Sequence, residues 1–410
     1  MSFLFFPGVN VGLMPIVFRR VRDTKRYSMS IITAPASHSE ATMSSLAEFT
    51  PFLRDLQHNC DISDARDHGI YSMCTMVLKL RNLYKWEKGL QPWEEPEPAI
   101  LLDWIDTKEN YWATIAEESF RPLSVSGKML APLELEEINA ALNESRLLYG
   151  AGYGRSMKTV FFLAEKIGQR DYEGCPVIIL GKERAREMAS PFAMVQDGLI
   201  IIRKESLRSF FWDQIQEVRS SCRGSLLQAL RSYGVFKGGT LDRGLFIDSL
   251  DTIVEQEMNL FIYHEVGEIL QTTFASEALQ AIIGHFPGSV MEFVGRAVKD
   301  ILADTHPQGL LAYAIREQRE SSLGFYVTFL DGLREKLFPE ILKAWRLFVA
   351  DRDWNHIEQA RAACRERNQQ VAERIQEISR MIGNDPDDLL VNRFNNRILA
   401  PLGLERPKGT

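Results

Sequence analysis

Apolar residues recur at steps of three and four along most of this chain. That is the period of a helix with one buried face. Residues 44–56 and 65–86 read as helices, and Ile70, Met73, Val77, Leu80 and Leu83 share one face of the second. The proline-rich stretch 91–98 (QPWEEPEP) cannot continue a helix. Helical spacing resumes over 99–120 and 133–149, and the glycines of 150–154 (GAGYG) predict a flexible hinge. The pattern changes in 175–203. Residues 175–180 (CPVIIL) form a short apolar run, and 192–196 and 199–203 flank Asp197-Gly198. Asp-Gly between apolar runs signals a two-residue hairpin, because both positions tolerate positive φ. From residue 207 the chain reads as helical almost to its end, with turns at 234–244, 286–289 and 305–309.

The fold class this predicts is mainly α: a multi-helix globular protein with a small three-stranded β insert. Its parts are a helical N-terminal domain over 43–150, the small α/β insert over 151–210, a helical domain over 211–350, and a long C-terminal helix and tail over 351–410. That last helix is expected over 354–382, with Asp353 as N-cap and Gly383 then Pro386 as its stop. Ile357, Arg361, Cys364, Asn368, Val371, Ile375, Ile378 and Ile382 step by four and three along it, a coiled-coil seam with polar interruptions. The seam fits an antiparallel partner within the chain or a homodimer.

Composition adds limits. At 410 residues, with 45% hydrophobic and 25% charged, the chain is long enough to bury a sizeable core. Its net charge of -7 argues against nucleic-acid binding driven by overall positive charge. The five cysteines include no CxxC pair, so neither a disulfide framework nor a cysteine-based zinc site is expected, and a reducing, cytoplasmic setting is. No uninterrupted apolar stretch suits a membrane span. Residues 1–18 are apolar, and a basic cluster (Arg19, Arg20, Arg22, Lys25, Arg26) follows them, the reverse of a secretory signal. Residues 1–42 therefore read as a disordered arm, or as upstream sequence with the true start at Met29 or Met43 in place of Met1; a targeting peptide is the alternative.

Candidate chemistry concentrates in 257–270 (EMNLFIYHEVGEIL). On a helical wheel Val254, Met258, Phe261, Ile262 and Ile269 share a face, Glu265 falls near its centre, and Glu257, His264 and Glu268 line its edge. A carboxylate amid apolar side chains is costly unless protonated, paired or bound to a metal. A second helix, with Val290, Val294, Ala297, Val298 and Ile301 on its apolar face, carries Asp300 and Asp304 on the flank. Asp304 in the last turn opposes the helix dipole, so a cation, His306 or an arginine is expected beside it. His285 is a further side chain within expected reach. The alternative to a metal is an ion pair between Glu265 and Arg296 or Arg316. Lys158-Thr159 lie too far beyond Gly154 for a phosphate-binding loop, so no nucleotide cofactor is expected. Glu117 and Glu118 read as a solvated helix end.

His264-Glu265-Val266-Gly267-Glu268 followed by Asp300-Ile301-Leu302-Ala303-Asp304 resembles the zincin metallopeptidases, which carry HExxH and, in some, ExxxD on a later helix. The second histidine is replaced by Glu268 and the third-ligand glutamate by Asp300. The resemblance implies His264 and Glu268 as ligands, Asp300 as the third ligand, Asp304 behind them and Glu265 as general base. Glu265-Val266-Gly267-Glu268 also resembles the ExxE of all-α nucleotide pyrophosphohydrolases, which would hold magnesium with Glu265, Glu268, Asp300 and Asp304. Zinc, manganese and magnesium are the metals these readings invoke. Three functions compete: a metal-dependent hydrolase with His264, Glu268, Asp300 and Asp304 around the ion, a magnesium-dependent nucleotide hydrolase, and a non-catalytic helical interaction protein using the C-terminal seam and exposed Trp86, Trp93 and Trp104.

Overall fold

The computed structural model describes residues 50–154, 157–217, 223–330 and 332–404, with Met14–Pro15. The expected N-terminal arm (Met14–Pro15 apart), residues 44–49 of the first predicted helix and Cys222 lie outside these residues. The first helices are α1 (Thr50–Asp67), α2 (Met73–Glu87) and α3 (Pro98–Ile115). A small hairpin, β1 (Leu123–Val125) and β2 (Lys128–Leu130), leads to α4 (Leu135–Leu142). Five strands follow: β3 (Leu147–Tyr153), β4 (Thr159–Tyr172), β5 (Cys175–Arg186), β6 (Ala193–Gln196) and β7 (Leu199–Arg203). The rest is helical apart from a short hairpin of β8 (Phe236–Lys237) and β9 (Thr240–Leu241). Its helices are α5 (Lys204–Glu217), α6 (Arg223–Leu230), α7 (Arg243–Leu270), α8 (Ser276–His285), α9 (Val290–Asp304), α10 (Leu310–Arg316), α11 (Glu320–Phe329), α12 (Gly332–Leu337), α13 (Glu340–Asp351), α14 (Asn355–Ser379) and α15 (Asp387–Phe394).

The fold class corrects the sequence reading. The chain holds a curled mixed sheet of five strands, in the order β3-β4-β5-β7-β6, with Met14–Pro15 pairing at the β6 edge, and two smaller sheets; it is not a helical protein with a three-stranded insert. The hairpin at Asp197-Gly198 is there, both residues at positive φ, and β5 pairs in parallel with β7. The strands of this sheet missing from the prediction are β3 and β4. Two physical causes hid them. Leu147 to Tyr149 continue the apolar spacing of α4, so the run looked helical. In β4, residues 159–164 (TVFFLA) are buried on both faces, so they show no period-two alternation. The predicted glycine hinge is strand: Gly150 lies opposite Phe162, and a Cβ there would come within 2.0 Å of the Phe162 ring. Register shifts between β4 and β5 at Leu163/Ala164, Ala164/Lys166 and Lys166/Gly168 mark bulges, which increase local twist and account for the curl.

One apolar core runs from the sheet into the helices, joining Val177, Ile179, Ile200 and Ile202 to Phe210, Phe261, Phe325 and Ile375. A second lies under α1 and α4 against β3 and β4, centred on Phe52, Leu56, Tyr149 and Phe161. The seam residues Ile357, Cys364, Asn368, Val371, Ile375 and Ile378 are buried within the chain, where α14 packs on α8, α9 and α13. Trp86, Trp93 and Trp104 are half-buried, Trp93 edge-on to Trp212 and Trp104 edge-on to Tyr84. Among the described residues no helix is long and apolar enough to cross a membrane.

Candidate metal centre

Two capped helices build the site. The Asp242 carboxylate accepts the Leu245 N–H at 2.9 Å to start α7, and the Ser289 hydroxyl accepts the Glu292 N–H at 3.3 Å to start α9. The second half of α7 is buried on every side. From Leu260 to Glu268 each residue is below a tenth exposed, including those opposite the predicted apolar face. A helix buried all round sits at a domain's centre, so Glu265 is enclosed by protein and not merely set on one face.

Gly267 brings the two helices together. A Cβ on it would lie 2.2 Å from the Ala303 carbonyl oxygen of α9. Only a hydrogen in place of a side chain permits this backbone approach. It sets His264 and Glu268 of α7 beside Asp300 and Asp304 of α9.

In that space one ligand atom each of His264, Glu268 and Asp300 lie within 4.8 Å of one another, all three residues buried. Asp304 stands behind His264, its Oδ1 2.5 Å from Nδ1. Its other oxygen accepts from Arg334 Nη2 at 2.7 Å. With one oxygen on His264 and the other on Arg334, Asp304 orients the imidazole and stands outside the three-residue cluster. A carboxylate on one ring nitrogen fixes the tautomer and leaves the other nitrogen's lone pair for an ion. That other atom, His264 Nε2, is buried with no hydrogen-bond partner among the described residues, as are Glu268 Oε2 and both oxygens of Glu265. Glu268 Oε1 accepts from Lys299 Nζ at 2.9 Å.

The electrostatics match this geometry. Burial, with the Glu268 charge next, pushes the Glu265 carboxyl well above its ordinary range. Burial also pushes Asp300 up to about 6, against the pull of Arg334 and His264. Asp304 goes the other way: burial would raise it, but Arg334 and His264 hold it below the usual carboxylate range. Four carboxyl groups (Glu265, Glu268, Asp300, Asp304) thus meet two basic side chains, Lys299 and Arg334, and one imidazole. A divalent cation would balance the charge and give the unpartnered atoms their partner.

The other expected members are elsewhere. Glu257 accepts hydrogen bonds from Tyr233 and from Ser322, the latter at 2.6 Å, a turn and more from the cluster. His285 pairs with Asp387 at 2.8 Å on the surface. Asp304 is compensated by Arg334 and His264, not by His306, whose Nδ1 accepts the Gln308 N–H. Neither Arg296 nor Arg316 pairs with Glu265: the first bonds Glu292 at 2.8 Å, the second Glu317 at 3.0 Å and Tyr263 at 3.1 Å. Gly267, Lys299 and Arg334 were missed. Gly267 carried a signal, since glycine within a strongly helical run weakens it unless packing requires it. Arg334 carried none, because only the tertiary fold brings it to α9.

Comparison with known proteins places the chain by class. Residues 51–203 match the N-terminal domain, and residues 208–397 the C-terminal domain, of a family of unknown function, DUF6866. The two matches span most of the chain, which belongs to that family. No curated protein and no solved structure matches it.

Proposed function

We propose that this protein binds a divalent metal ion through His264 Nε2, Glu268 and Asp300, and that Glu265 makes the centre a hydrolase. The observation that carries the reading is a set of buried atoms unpartnered among the described residues on one stretch of α7, His264 Nε2, Glu268 Oε2 and both Glu265 oxygens, beside the His264, Glu268 and Asp300 ligand atoms within 4.8 Å of one another. Buried polar atoms are nearly always satisfied, so several orphans in one place point to a missing partner. One imidazole and two carboxylates suit zinc or manganese; zinc sites with three protein ligands keep a position for water. A metal lowers the pKa of such a water to near neutrality. Glu265, adjacent in sequence to His264, is the side chain to take its proton.

The test is elemental analysis of the purified protein and metal titration of the chelated protein. A stoichiometric ion is expected in the wild type, lost in His264→Ala and Glu268→Ala. Asp304→Asn should weaken it by about 10–100-fold, the usual cost of an orienting partner. Glu265→Gln should keep the ion and lose hydrolysis of an activated ester. No uptake of zinc, manganese or magnesium by folded wild type would overturn the reading.

Burial favours a second reading. Every ligand is below a tenth exposed, and closed sites are the structural kind. On that reading the ion clamps α7 to α9. Chelation then lowers the melting temperature, and Glu265→Gln leaves no activity to lose.

A further inference from the structure

A second constellation lies in the N-terminal half, far from the helices of the metal centre in sequence. Arg54, His58 and Asp61 of α1, Tyr111 of α3, and Glu118 and Arg121 beyond it line an open cleft of about 720 Å³. Inside it three side chains are linked in a row. The Tyr111 hydroxyl is 2.9 Å from His58 Nδ1, and His58 Nε2 is 2.8 Å from a Glu118 oxygen. Glu118 is exposed, as expected, and is also engaged by His58. The His58 side chain is only 10% exposed, so its ring is held between its partners.

The chemistry of the row has a direction. The hydrogen bond from His58, above all, holds the Glu118 carboxyl below its ordinary range, so it is an acceptor at neutral pH. In the neutral ring, a hydrogen on His58 Nε2 toward Glu118 leaves Nδ1 to offer a lone pair. Burial and the Asp61 charge hold the Tyr111 phenol above its ordinary range, so it keeps its proton and donates it to Nδ1. A hydroxyl on a base, with that base oriented by a carboxylate, is the arrangement that defines an activated nucleophile. Tyr111 is 39% exposed, so an incoming group can reach its oxygen.

Two guanidiniums on the walls offer contacts to an anion. The guanidiniums of Arg54 and Arg121 border the cleft with side chains 72% and 44% exposed. Each has five donors, and contacts to Asp55 at 3.3 and 3.9 Å and to Glu118 at 3.5 Å use only part of them. Asp61, which would repel an anion, is paired with Lys108 at 3.0 Å.

We propose that Tyr111, His58 and Glu118 form a second reactive centre, in which Tyr111 is the nucleophile toward a phosphate ester held by Arg54 and Arg121. In the step, Tyr111 Oη bonds to phosphorus and passes its proton to His58 Nδ1. The bond from phosphorus to the leaving oxygen breaks, and that oxygen takes the electron pair. The product is a tyrosyl phosphodiester when the substrate is a diester.

The probe is bis(p-nitrophenyl) phosphate, added to the full chain in the presence of a chelator so that the metal centre contributes nothing. The expected result is a burst of p-nitrophenolate stoichiometric with protein, and a phosphoryl adduct mapped to Tyr111 by peptide mass spectrometry. Tyr111→Phe should abolish both. His58→Phe should slow the burst on the order of 100-fold, the usual worth of a general base. Glu118→Gln keeps the shape of the row and should slow it with an unchanged melting curve, which a merely structural role would not do; it carries the test if His58→Phe fails to fold. No adduct on folded wild type, or a burst unaffected by Glu118→Gln, overturns the proposal.

Discussion

Gly267→Ala should cost about 3 kcal/mol of folding stability, at the upper end for an overpacked core, and should remove metal binding with it. The added methyl would meet the Ala303 oxygen at 2.2 Å, its carbonyl carbon at 2.8 Å and its Cα at 3.1 Å. All three are backbone atoms, so no rotamer change relieves the clash and α9 must move away from α7. His264 and Glu268 lie one turn from each other, on either side of Gly267, while Asp300 and Asp304 flank Ala303. Separating the helices therefore pulls the ligand set apart along with the His264–Asp304 bond. Alanine is the better helix former by about 1 kcal/mol, which makes the sign of the effect a clean test of the close approach. Chemical denaturation beside metal titration measures both. A variant as stable as the wild type that still takes up metal would show that the helices stand further apart.

Arg203→Leu is the second large effect, expected at about 3–5 kcal/mol, the usual cost of breaking a fully buried pair. Arg203 ends β7, and its guanidinium grips Glu183 of β5 with Nε at 3.1 Å and Nη2 at 3.0 Å, both side chains wholly buried. It also lies 3.5 Å from Glu187 and 4.4 Å from the Phe162 ring centroid. Without it, Glu183 is left with Arg186, whose Nη1 is 3.4 Å away, and the buried Glu187 loses its nearest guanidinium. Lysine should not restore the loss, because a single ammonium cannot reproduce the forked contact. The sign of the pH dependence follows. Burial would raise the Glu183 carboxyl, but Arg203 and Arg186 hold it below its ordinary value. The stabilisation it provides is present above the unfolded pKa of about 4.3. It is lost as pH falls from there through the lower folded value. Urea unfolding of wild type and variant should therefore converge in acid.

The candidate metal cluster was legible because its signals are local. His264, Glu265 and Glu268 fall within one turn and a half of a single helix, and Asp300 and Asp304 repeat the four-residue step on the next capped helix. Helical spacing converts directly into shared faces. What the spacing could not give was the division of labour between Asp300 and Asp304. That depends on Arg334, thirty residues on, arriving at Asp304. His58 and Tyr111 escaped notice for the same reason, since nothing in sequence links residues so far apart. The sheet was misread where burial on both faces erased alternation, at 159–164, and where Gly150, which admits the Phe162 ring, looked like part of a hinge. The Asp197-Gly198 hairpin was read correctly because its turn chemistry is confined to two residues.

The boundary between the two family domains has a consequence for how this chain can be divided. β7 ends at Arg203 and α5 begins at Lys204, with no linker between them. α7, which belongs to the C-terminal domain by descent, packs on β6 and β7, which belong to the N-terminal one. Phe261 meets Phe192 edge-on at 4.8 Å across that line. The units that evolution and a family model recognise are thus not separate folding units: a chain cut at 203–208 would present Phe192, Ile200 and Ile202 on one piece and Phe261 on the other to water. Each piece would be sticky alone, and the two would be expected to recombine when produced together.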